Sequence, residues 1–326
     1  MPYSTRALMS TAAALISVAA LAGCSGSGGL ASSPVQRQTP TAARAAVQLP
    51  LTAQVVTQDL AIGPSRLSLG LLDGANHPVP DARVHLELYR LVGSQGTLSQ
   101  EMDATFIAPG REAGLPEAIT ATDEHGRAHV QANIPRDVGV YVVRPNFDTA
   151  GPWGVQAKVT LPDGRTTAAQ TTFEVQERSA MPAVGAPAPA SANPTWRDVP
   201  DLRMIDSSAQ PSKDLHERSV KDALAEHKPV VVLVATPGYC QSRFCGPELE
   251  IERRLEQQYR GQASFVHIEI WRDPVKQIPW DTVTEWHVTT EPYFFVVDRG
   301  GIIAAKFEGP TSIAELDSAM QRVLNQ

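Results

Sequence analysis

Two cysteines in the second half of the chain are the residues whose type and spacing could do chemistry. Cys240 and Cys245 lie in VVVLVATPGYCQSRFCGPELEIERRL, residues 230–255, where an apolar, β-branched run gives way to a charged, amphipathic stretch. This pattern predicts a buried strand, a tight loop and a helix, and reactive groups in α/β folds often follow the carboxyl ends of strands. Two thiols this close in sequence can bridge if the loop folds back. Such a dithiol can exchange with other disulfides, one thiolate attacking and the second resolving the mixed disulfide.

The predicted position of these cysteines favours a reactive thiolate. A helix N-terminus stabilises negative charge through its dipole and its unpaired amide groups. Arg243, which lies between the two cysteines, would add a positive charge. We therefore expect Cys240 and Cys245 to be the catalytic residues of a redox site that needs no cofactor.

The third cysteine of the chain belongs to a predicted export signal. Arg6 precedes a mostly apolar stretch, residues 7–22, and Leu-Ala-Gly stands directly before Cys24. A basic residue, a short apolar core and small residues before a cleavage point are typical of secretory signals. The ending resembles a bacterial lipobox, which implies a lipoprotein signal peptide over residues 1–23 and lipidation of Cys24. The chain is then expected to be exported and lipid-anchored to the cell membrane, facing outside the cytoplasm, with residues 24–50 as a flexible tether.

Composition and charge argue against other classes of protein. The 326 residues carry a net charge of −7 and form no basic stripe, so we expect no nucleic-acid partner. The eight histidines are spread over both halves of the chain, and we predict no metal site. Because disulfides persist outside the cytoplasm, protein thiols or disulfides are the expected partners.

Residues 51–178 show the two-residue periodicity of half-buried strands, with turn signals between the runs. This pattern predicts an all-β, immunoglobulin-like sandwich, and residues 139–159 resemble the end of small bacterial immunoglobulin-like modules. By alternation Trp153 is expected in the core, and His85 and His129 on solvated faces. The alternating runs are residues 67–71, 83–89, 127–134 and 153–159.

An Ala/Pro-rich linker, residues 179–196, separates this domain from a second one, and its composition predicts a semi-rigid spacer. Residues 197–326 predict the order helix, strand, helix, strand, helix, strand, strand, helix. That order resembles a thioredoxin-like α/β fold. Thr290-Glu291-Pro292 resembles the thioredoxin segment in which a cis-proline opens a strand beside the active site. Cys245-Gly246-Pro247 resembles part of the thioredoxin Cys-Gly-Pro-Cys signature.

The sequence departs from the thioredoxin pattern at the site itself. Four residues, not two, separate the cysteines, and Tyr239 replaces the usual tryptophan. Residues 230–235 contain no counterpart of the buried thioredoxin acid, and Glu291 would disfavour a thiolate near it. The resemblance still implies that Tyr239, Glu291 and Pro292 contact the substrate.

The roles of the two cysteines depend on how the loop is aligned. Distance from the strand aligns Cys240 with the thioredoxin nucleophile and Cys245 with the resolving cysteine. The Gly-Pro context instead makes Cys245 the first cysteine. We prefer the alignment based on the strand.

Three functions remain open from the sequence. The first is a membrane-anchored, extracytoplasmic thiol–disulfide oxidoreductase that uses Cys240 and Cys245. The second is a non-catalytic, thioredoxin-fold interaction module with a structural disulfide. The third is a Sco-like copper-handling protein, since two thiolates suit Cu(I), with His287 or His267 as a distant ligand. A faint resemblance of Thr236-Pro237-x-x-Cys240 to peroxiredoxins ranks below these three.

Overall fold

The computed structural model describes residues 50–114, 119–122, 128–131, 136–242 and 244–326, and only the backbone of residues 119–122 and 128–131. The predicted signal peptide and nearly all of the tether, with Cys24, lie outside the described residues, as do Arg243 and residues 132–135. In the described part of the chain, no helix is both long enough and apolar enough to cross a membrane.

The region before residue 179 is built almost entirely of strands. One short helix interrupts them, in a stretch where the sequence predicts none. The elements are β1 (Thr52–Val55), β2 (Gly63–Pro64), β3 (Leu67–Leu72), β4 (Arg83–Val92), β5 (Gln95–Asp103), β6 (Thr105–Ile107), α1 (Pro109–Glu112), β7 (Ile119–Thr122), β8 (Ala128–Gln131), β9 (Val140–Val143), β10 (Asn146–Phe147), β11 (Gly151–Thr160) and β12 (Thr166–Val175).

Two four-stranded antiparallel sheets share the core of this region. Their strand orders are β1-β3-β9-β6 and β12-β11-β4-β5, and two short ribbons, β2-β10 and β7-β8, accompany them. Every second side chain of β3, β4 and β11 is buried between the sheets, as the alternation predicts. Trp153 is 1% exposed there, which confirms its predicted place in the core. His85 is only partly exposed, with Nδ1 2.8 Å from the Asp103 carboxylate of the neighbouring strand.

The Ala/Pro-rich segment 179–196 packs against the second region and does not extend away from it as a spacer. The amides of Gly185 and Ala188 donate to the carbonyls of Ile303 and Gly301, at 2.8 and 2.9 Å. Ser191 is 2% exposed and accepts a hydrogen bond from the Trp286 indole at 3.1 Å. Proline composition predicted the extended backbone, but the partners that hold it come from more than 90 residues further along the chain.

The region after residue 196 has the predicted order of elements with one addition. A short hairpin, β15-β16, is inserted after the second strand. Residues 202–204 and 214–216 form single 3-10 turns. The elements are α2 (Val220–Ala225), β13 (Val230–Ala235), α3 (Cys245–Gln258), β14 (Ser264–Glu269), β15 (Trp271–Asp273), β16 (Ile278–Pro279), α4 (Asp281–Glu285), β17 (Tyr293–Val297), β18 (Ile303–Glu308) and α5 (Ile313–Leu324).

A four-stranded mixed sheet with the order β14-β13-β17-β18 forms the centre of this region. Strand β13 runs parallel to β14 and antiparallel to β17, and β18 pairs antiparallel with β17. All six residues of β13 are buried because α3 and α5 cover one face of the sheet while α2 and α4 cover the other. The buried, β-branched run therefore becomes the central strand, as predicted. The loop that contains Cys240 follows the carboxyl end of β13.

Buried, hydrogen-bonded charges join the two regions. The Arg66 guanidinium donates from Nε and Nη2 to the two carboxylate oxygens of Glu315, at 2.9 and 3.0 Å. Its Nη1 donates to the Glu308 carbonyl at 3.0 Å. In turn, the Glu308 carboxylate accepts from the backbone amides of Gln58 and Asp59, at 2.9 Å each. The first region is therefore docked on β18 and on the first turn of α5.

Candidate functional site

Both cysteines follow β13, but only Cys245 belongs to a helix. It is the first residue of α3, whereas Cys240 lies in the loop that follows β13, after Ala235. Gly238 anchors this loop, since its amide donates to the Ser207 hydroxyl at 2.9 Å. A Cβ on Gly238 would stand 2.7 Å from the Ser207 carbonyl oxygen, so the close approach requires glycine. The loop is thereby fixed two residues before Cys240.

The structure brings the two cysteines together with Glu291. The two sulfurs and a carboxylate oxygen of Glu291 all lie within 4.8 Å of one another. The peptide bond between Glu291 and Pro292 is cis, as the resemblance implied. Ser242, which the sequence did not single out, lies with its hydroxyl 3.1 Å from the Cys240 sulfur and donates to the Glu291 carbonyl at 3.4 Å.

The first region of the chain holds the segment that carries Glu291. The Thr290 hydroxyl donates to the Glu308 carboxylate at 2.8 Å, and that carboxylate is fixed by the backbone of residues 58 and 59. Two residues beyond Glu291, the Tyr293 hydroxyl donates to the Asp59 carboxylate at 3.4 Å. The same carboxylate accepts from the Lys306 ammonium at 2.7 Å. Both flanks of Glu291 are therefore tied to the β-sheet region.

The two thiols differ in exposure and in electrostatics. Cys245 is fully buried, and Cys240 is partly exposed. Burial raises the pKa of the Cys245 thiol well above its usual value, and the hydrogen bond and the charge shared with Cys240 raise it further. The expectation that the helix N-terminus stabilises a thiolate is therefore wrong for Cys245, because the desolvation of a fully buried thiol dominates its pKa. Cys245 is a buried thiol at neutral pH.

Glu291 is poised to change charge near neutral pH. Burial raises the pKa of its carboxyl to about 7, with further contributions from the negative charges of Cys240 and Glu269. A carboxyl with such a pKa can either hold or release a proton under physiological conditions. Tyr239, which directly precedes Cys240 in the chain, is 54% exposed.

A buried carboxyl group does accompany the site, but it comes from the neighbouring strand. Glu269 ends β14 in register with Ala235, the last residue of β13, and is 4% exposed. It accepts from the amides of Ser207 and Ile270, at 3.0 Å each. Burial raises its pKa. Its signal in the sequence is an acid at the carboxyl end of a buried strand, but that strand is the neighbour of residues 230–235.

The two histidines considered for copper lie apart from the dithiol. His287 is exposed just after α4. His267 is 1% exposed, and its Nε2 lies 3.1 Å from the Ala235 carbonyl oxygen. Its Nδ1 lies 3.2 Å from Nε2 of His216, beside Asp206, and neither of these partners was singled out in the sequence. Among the described residues, neither histidine joins the group of donor atoms around Cys240.

Replacement of Glu291 by glutamine is expected to speed alkylation of Cys240 by iodoacetamide roughly three- to tenfold at pH 8. Above a pKa of about 7 Glu291 is ionised, and its charge repels the thiolate. Below pH 6 the carboxyl is already neutral, so the two rates should converge. The rates are measured by mass spectrometry across the pH range. Glu177→Gln, an exposed site at the end of β12, is the control. Equal rates for Glu291→Gln and the parent chain at pH 8 would show that the two charges do not interact.

Comparisons with known proteins give similarities to solved structures only. No family model and no curated protein matches the chain. A thiol:disulfide interchange protein of the thioredoxin family from Chlorobium tepidum TLS is 18% identical, covering 32% of this chain and 84% of its own, with a TM-score of 0.26. A CARDB domain from Pyrococcus furiosus is 12% identical, covering 40% and 90%, with a TM-score of 0.20. Murine CRIg is 12% identical, covering 39% and 97%, with a TM-score of 0.20.

Proposed function

We propose that this chain is a membrane-anchored, extracytoplasmic thiol–disulfide oxidoreductase of thioredoxin-like type. The observation that carries the proposal is the convergence of a partly exposed sulfur, a buried sulfur and a titrating carboxyl, those of Cys240, Cys245 and Glu291. The finer fold assignment is an immunoglobulin-like sandwich followed by a thioredoxin-like domain. Export and anchoring rest on the lipobox at Cys24, and protein thiols and disulfides are the proposed partners.

Cys240 makes the first attack because it is the accessible sulfur of the pair. Its thiolate attacks one sulfur of a substrate disulfide, forms a mixed disulfide and expels the other substrate sulfur as a thiolate, which takes a proton from water. The Cys245 S–H, hydrogen-bonded to the Cys240 sulfur, and a protonated Glu291 both favour the charge on Cys240. Before the first attack, the three acidic groups of the site thus share one negative charge.

Cys245 resolves the mixed disulfide with Glu291 as the proton acceptor. Once Cys240 is bonded to the substrate it carries no charge, so one of the causes that raise the pKa of Glu291 is gone. Glu291 therefore releases its proton to water, and the resulting carboxylate takes the proton of the Cys245 thiol, which is too deeply buried to ionise unaided. Cys245 attacks the Cys240 sulfur and releases the second substrate thiolate, which is protonated in turn. The substrate disulfide gains two electrons and two protons, and the dithiol becomes a disulfide; the reverse sequence oxidises a substrate dithiol.

The reduction potential of the pair tests this proposal. In glutathione redox buffers the Cys240/Cys245 couple of the full chain is expected above about −300 mV, since structural disulfides lie below that value. The full chain is also expected to reduce insulin disulfides with dithiothreitol as the electron source, and the double variant Cys240→Ser/Cys245→Ser serves as the control. A potential below about −300 mV, together with turnover no faster than the control, would favour the structural disulfide.

The copper-handling alternative rests on the same donor atoms, and the described residues fit it poorly. Two thiolates suit Cu(I), but the third donor here is a carboxylate oxygen, which is a hard ligand. His267 and His287 lie elsewhere, as described above. We therefore propose no copper-dependent step.

A further inference from the structure

A second group of titratable side chains lies beneath the dithiol loop and takes no part in the proposed exchange. Asp206, His216 and His267 come from the segment before α2 and from β14, and their exposed fractions are 0%, 1% and 1%. Their donor atoms lie within 4.8 Å of one another. His216 Nε2 stands 3.2 Å from His267 Nδ1 and 3.5 Å from Asp206 Oδ2. Three nitrogen and oxygen donors therefore face a common point in the interior.

The hydrogen bonds around the group leave its donor atoms directed at that point. The Ala235 carbonyl can only accept, so His267 donates to it from Nε2 and keeps the lone pair of Nδ1 for the interior. The Asp206 carboxylate is oriented by the amides of Ser208 and Ser212, at 3.0 and 2.9 Å. Neutral imidazoles with one nitrogen bound to a carbonyl are the usual form of metal-ligating histidine.

A further buried carboxyl lies near this group. Glu252, on α3, is fully buried, and neither of its carboxylate oxygens has a hydrogen-bond partner in the described part of the chain. It lies close enough for its charge to interact with that of Asp206. The guanidinium of Arg253, which acts on Glu252, already pairs with Glu250 and contacts the Ser208 hydroxyl. An unpartnered carboxyl in the interior is costly unless a cation compensates it.

We propose that Asp206, His216 and His267 form a buried site for a divalent transition metal of the zinc class. In a tetrahedral zinc site with bonds of about 2.0–2.1 Å, neighbouring ligand atoms stand about 3.3 Å apart. The two separations at His216 Nε2 match that spacing. The nearby Glu252 carboxyl would help to balance the charge of the cation.

The surroundings of the group suit a metal that is acquired during folding. A cavity of about 10 Å³ adjoins both imidazoles, which is room for one water molecule. That water would accept a hydrogen bond from the Nδ1–H group of His216. Nδ1 of His216 has no hydrogen-bond partner among the described residues. Ser207, next to Asp206, binds the Gly238 amide, so the metal would also brace the loop that carries Cys240.

The test uses the full chain with Cys240→Ser and Cys245→Ser, so that the dithiol cannot bind metal. After expression with zinc and dialysis against a chelator, one equivalent of zinc is expected to remain, because the three ligands are buried. Refolding without metal is expected to lower Tm by roughly 5–10 °C relative to refolding with zinc. Refolding with Co²⁺ is expected to give the visible d–d absorption of a tetrahedral site.

Variants separate the proposed ligands from other histidines. His216→Gln and His267→Gln are expected to lose the metal and its effect on Tm, and His287→Gln, at an exposed position, is expected to keep both. Asp206→Asn, which is isosteric, is expected to weaken metal retention severalfold, and it decides the matter if the histidine variants do not fold. A parent chain with no bound metal and a Tm indifferent to zinc and chelator would overturn the proposal. So would equal metal retention in Asp206→Asn and the parent.

Discussion

Replacement of Cys240 by serine is expected to abolish turnover of disulfide substrates, with a loss of more than about a thousandfold. Cys240 is the partly exposed sulfur, so no other thiol of the pair can reach a protein substrate. Replacement of Cys245 by serine is expected to stop turnover at a different step. The first exchange still occurs, but nothing resolves it, so a mixed disulfide with the substrate accumulates.

The two variants are compared by non-reducing electrophoresis and mass spectrometry after incubation with a disulfide-containing protein. Cys245→Ser should yield a covalent adduct through Cys240, and Cys240→Ser should yield none. Cys240→Ser/Cys245→Ser is the control for adducts through other groups. Adducts in Cys240→Ser and none in Cys245→Ser would reverse the two roles, in favour of the Gly-Pro alignment. Turnover retained by both single variants would refute a dithiol mechanism.

Replacement of Arg66 by alanine is expected to cost about 3 kcal/mol of stability, the lower end of the range for breaking a buried ion pair. The side chains of Arg66 and Glu315 are 7% and 12% exposed, so the remaining carboxylate would lose most of its compensation. The Glu308 carbonyl would lose its donor as well. The cost stays at the lower end because Arg144 and the capping interaction with Ser312 still act on Glu315.

Equilibrium unfolding in urea, followed by intrinsic fluorescence, measures this change. Each region has its own hydrophobic core, so the Arg66→Ala chain is also expected to unfold in two separated steps. Arg90→Ala is the matched control, because the Arg90–Asp148 pair is about half exposed on both sides and is worth no more than about 1 kcal/mol. Equal losses in the two variants would contradict the role of Arg66 at the interface.

The same ion pair predicts how stability depends on pH. Burial opposes ionisation of Glu315, but the hydrogen bonds and charge of Arg66 outweigh it and lower its pKa. A depressed carboxyl pKa stabilises the fold fully above the unfolded value of about 4.3, and the contribution is lost as pH falls through the folded value. The difference between the parent and Arg66→Ala should therefore shrink on acidification below about pH 4.

Local sequence patterns were sufficient to predict a strand or helix wherever the segment itself contains the periodicity or capping residue that defines it. The apolar run of β13 predicted a central strand because only a strand buried on both faces tolerates six such residues in succession. Ser219 and Ser312 predicted two helix starts, and both side chains accept from the amide three residues on. The extra hairpin β15-β16 and helix α1 were missed, since both are too short for a periodic signal.

Local sequence is enough to predict the order of the elements, the loop that holds Cys240 and Cys245, and the strand that starts at the proline after Glu291. These features depend on neighbours in the chain: periodicity, caps and turn residues. The charge states at the site, in contrast, depend on the folded structure. Desolvation and charges from other segments raise the pKa of Glu291 to about 7 and keep Cys245 a thiol.

Tertiary structure alone also decided which distant polar groups meet. Glu269 comes to the site through strand register, His216 and His267 meet across 51 residues, and Arg66 finds Glu315 across 249. Neither the type of a residue nor its local spacing predicts these contacts between residues that are far apart in sequence. They follow from how the sheet, the helices and the two regions pack, and burial then sets the strength of each interaction, because a charge interacts far more strongly where water is excluded.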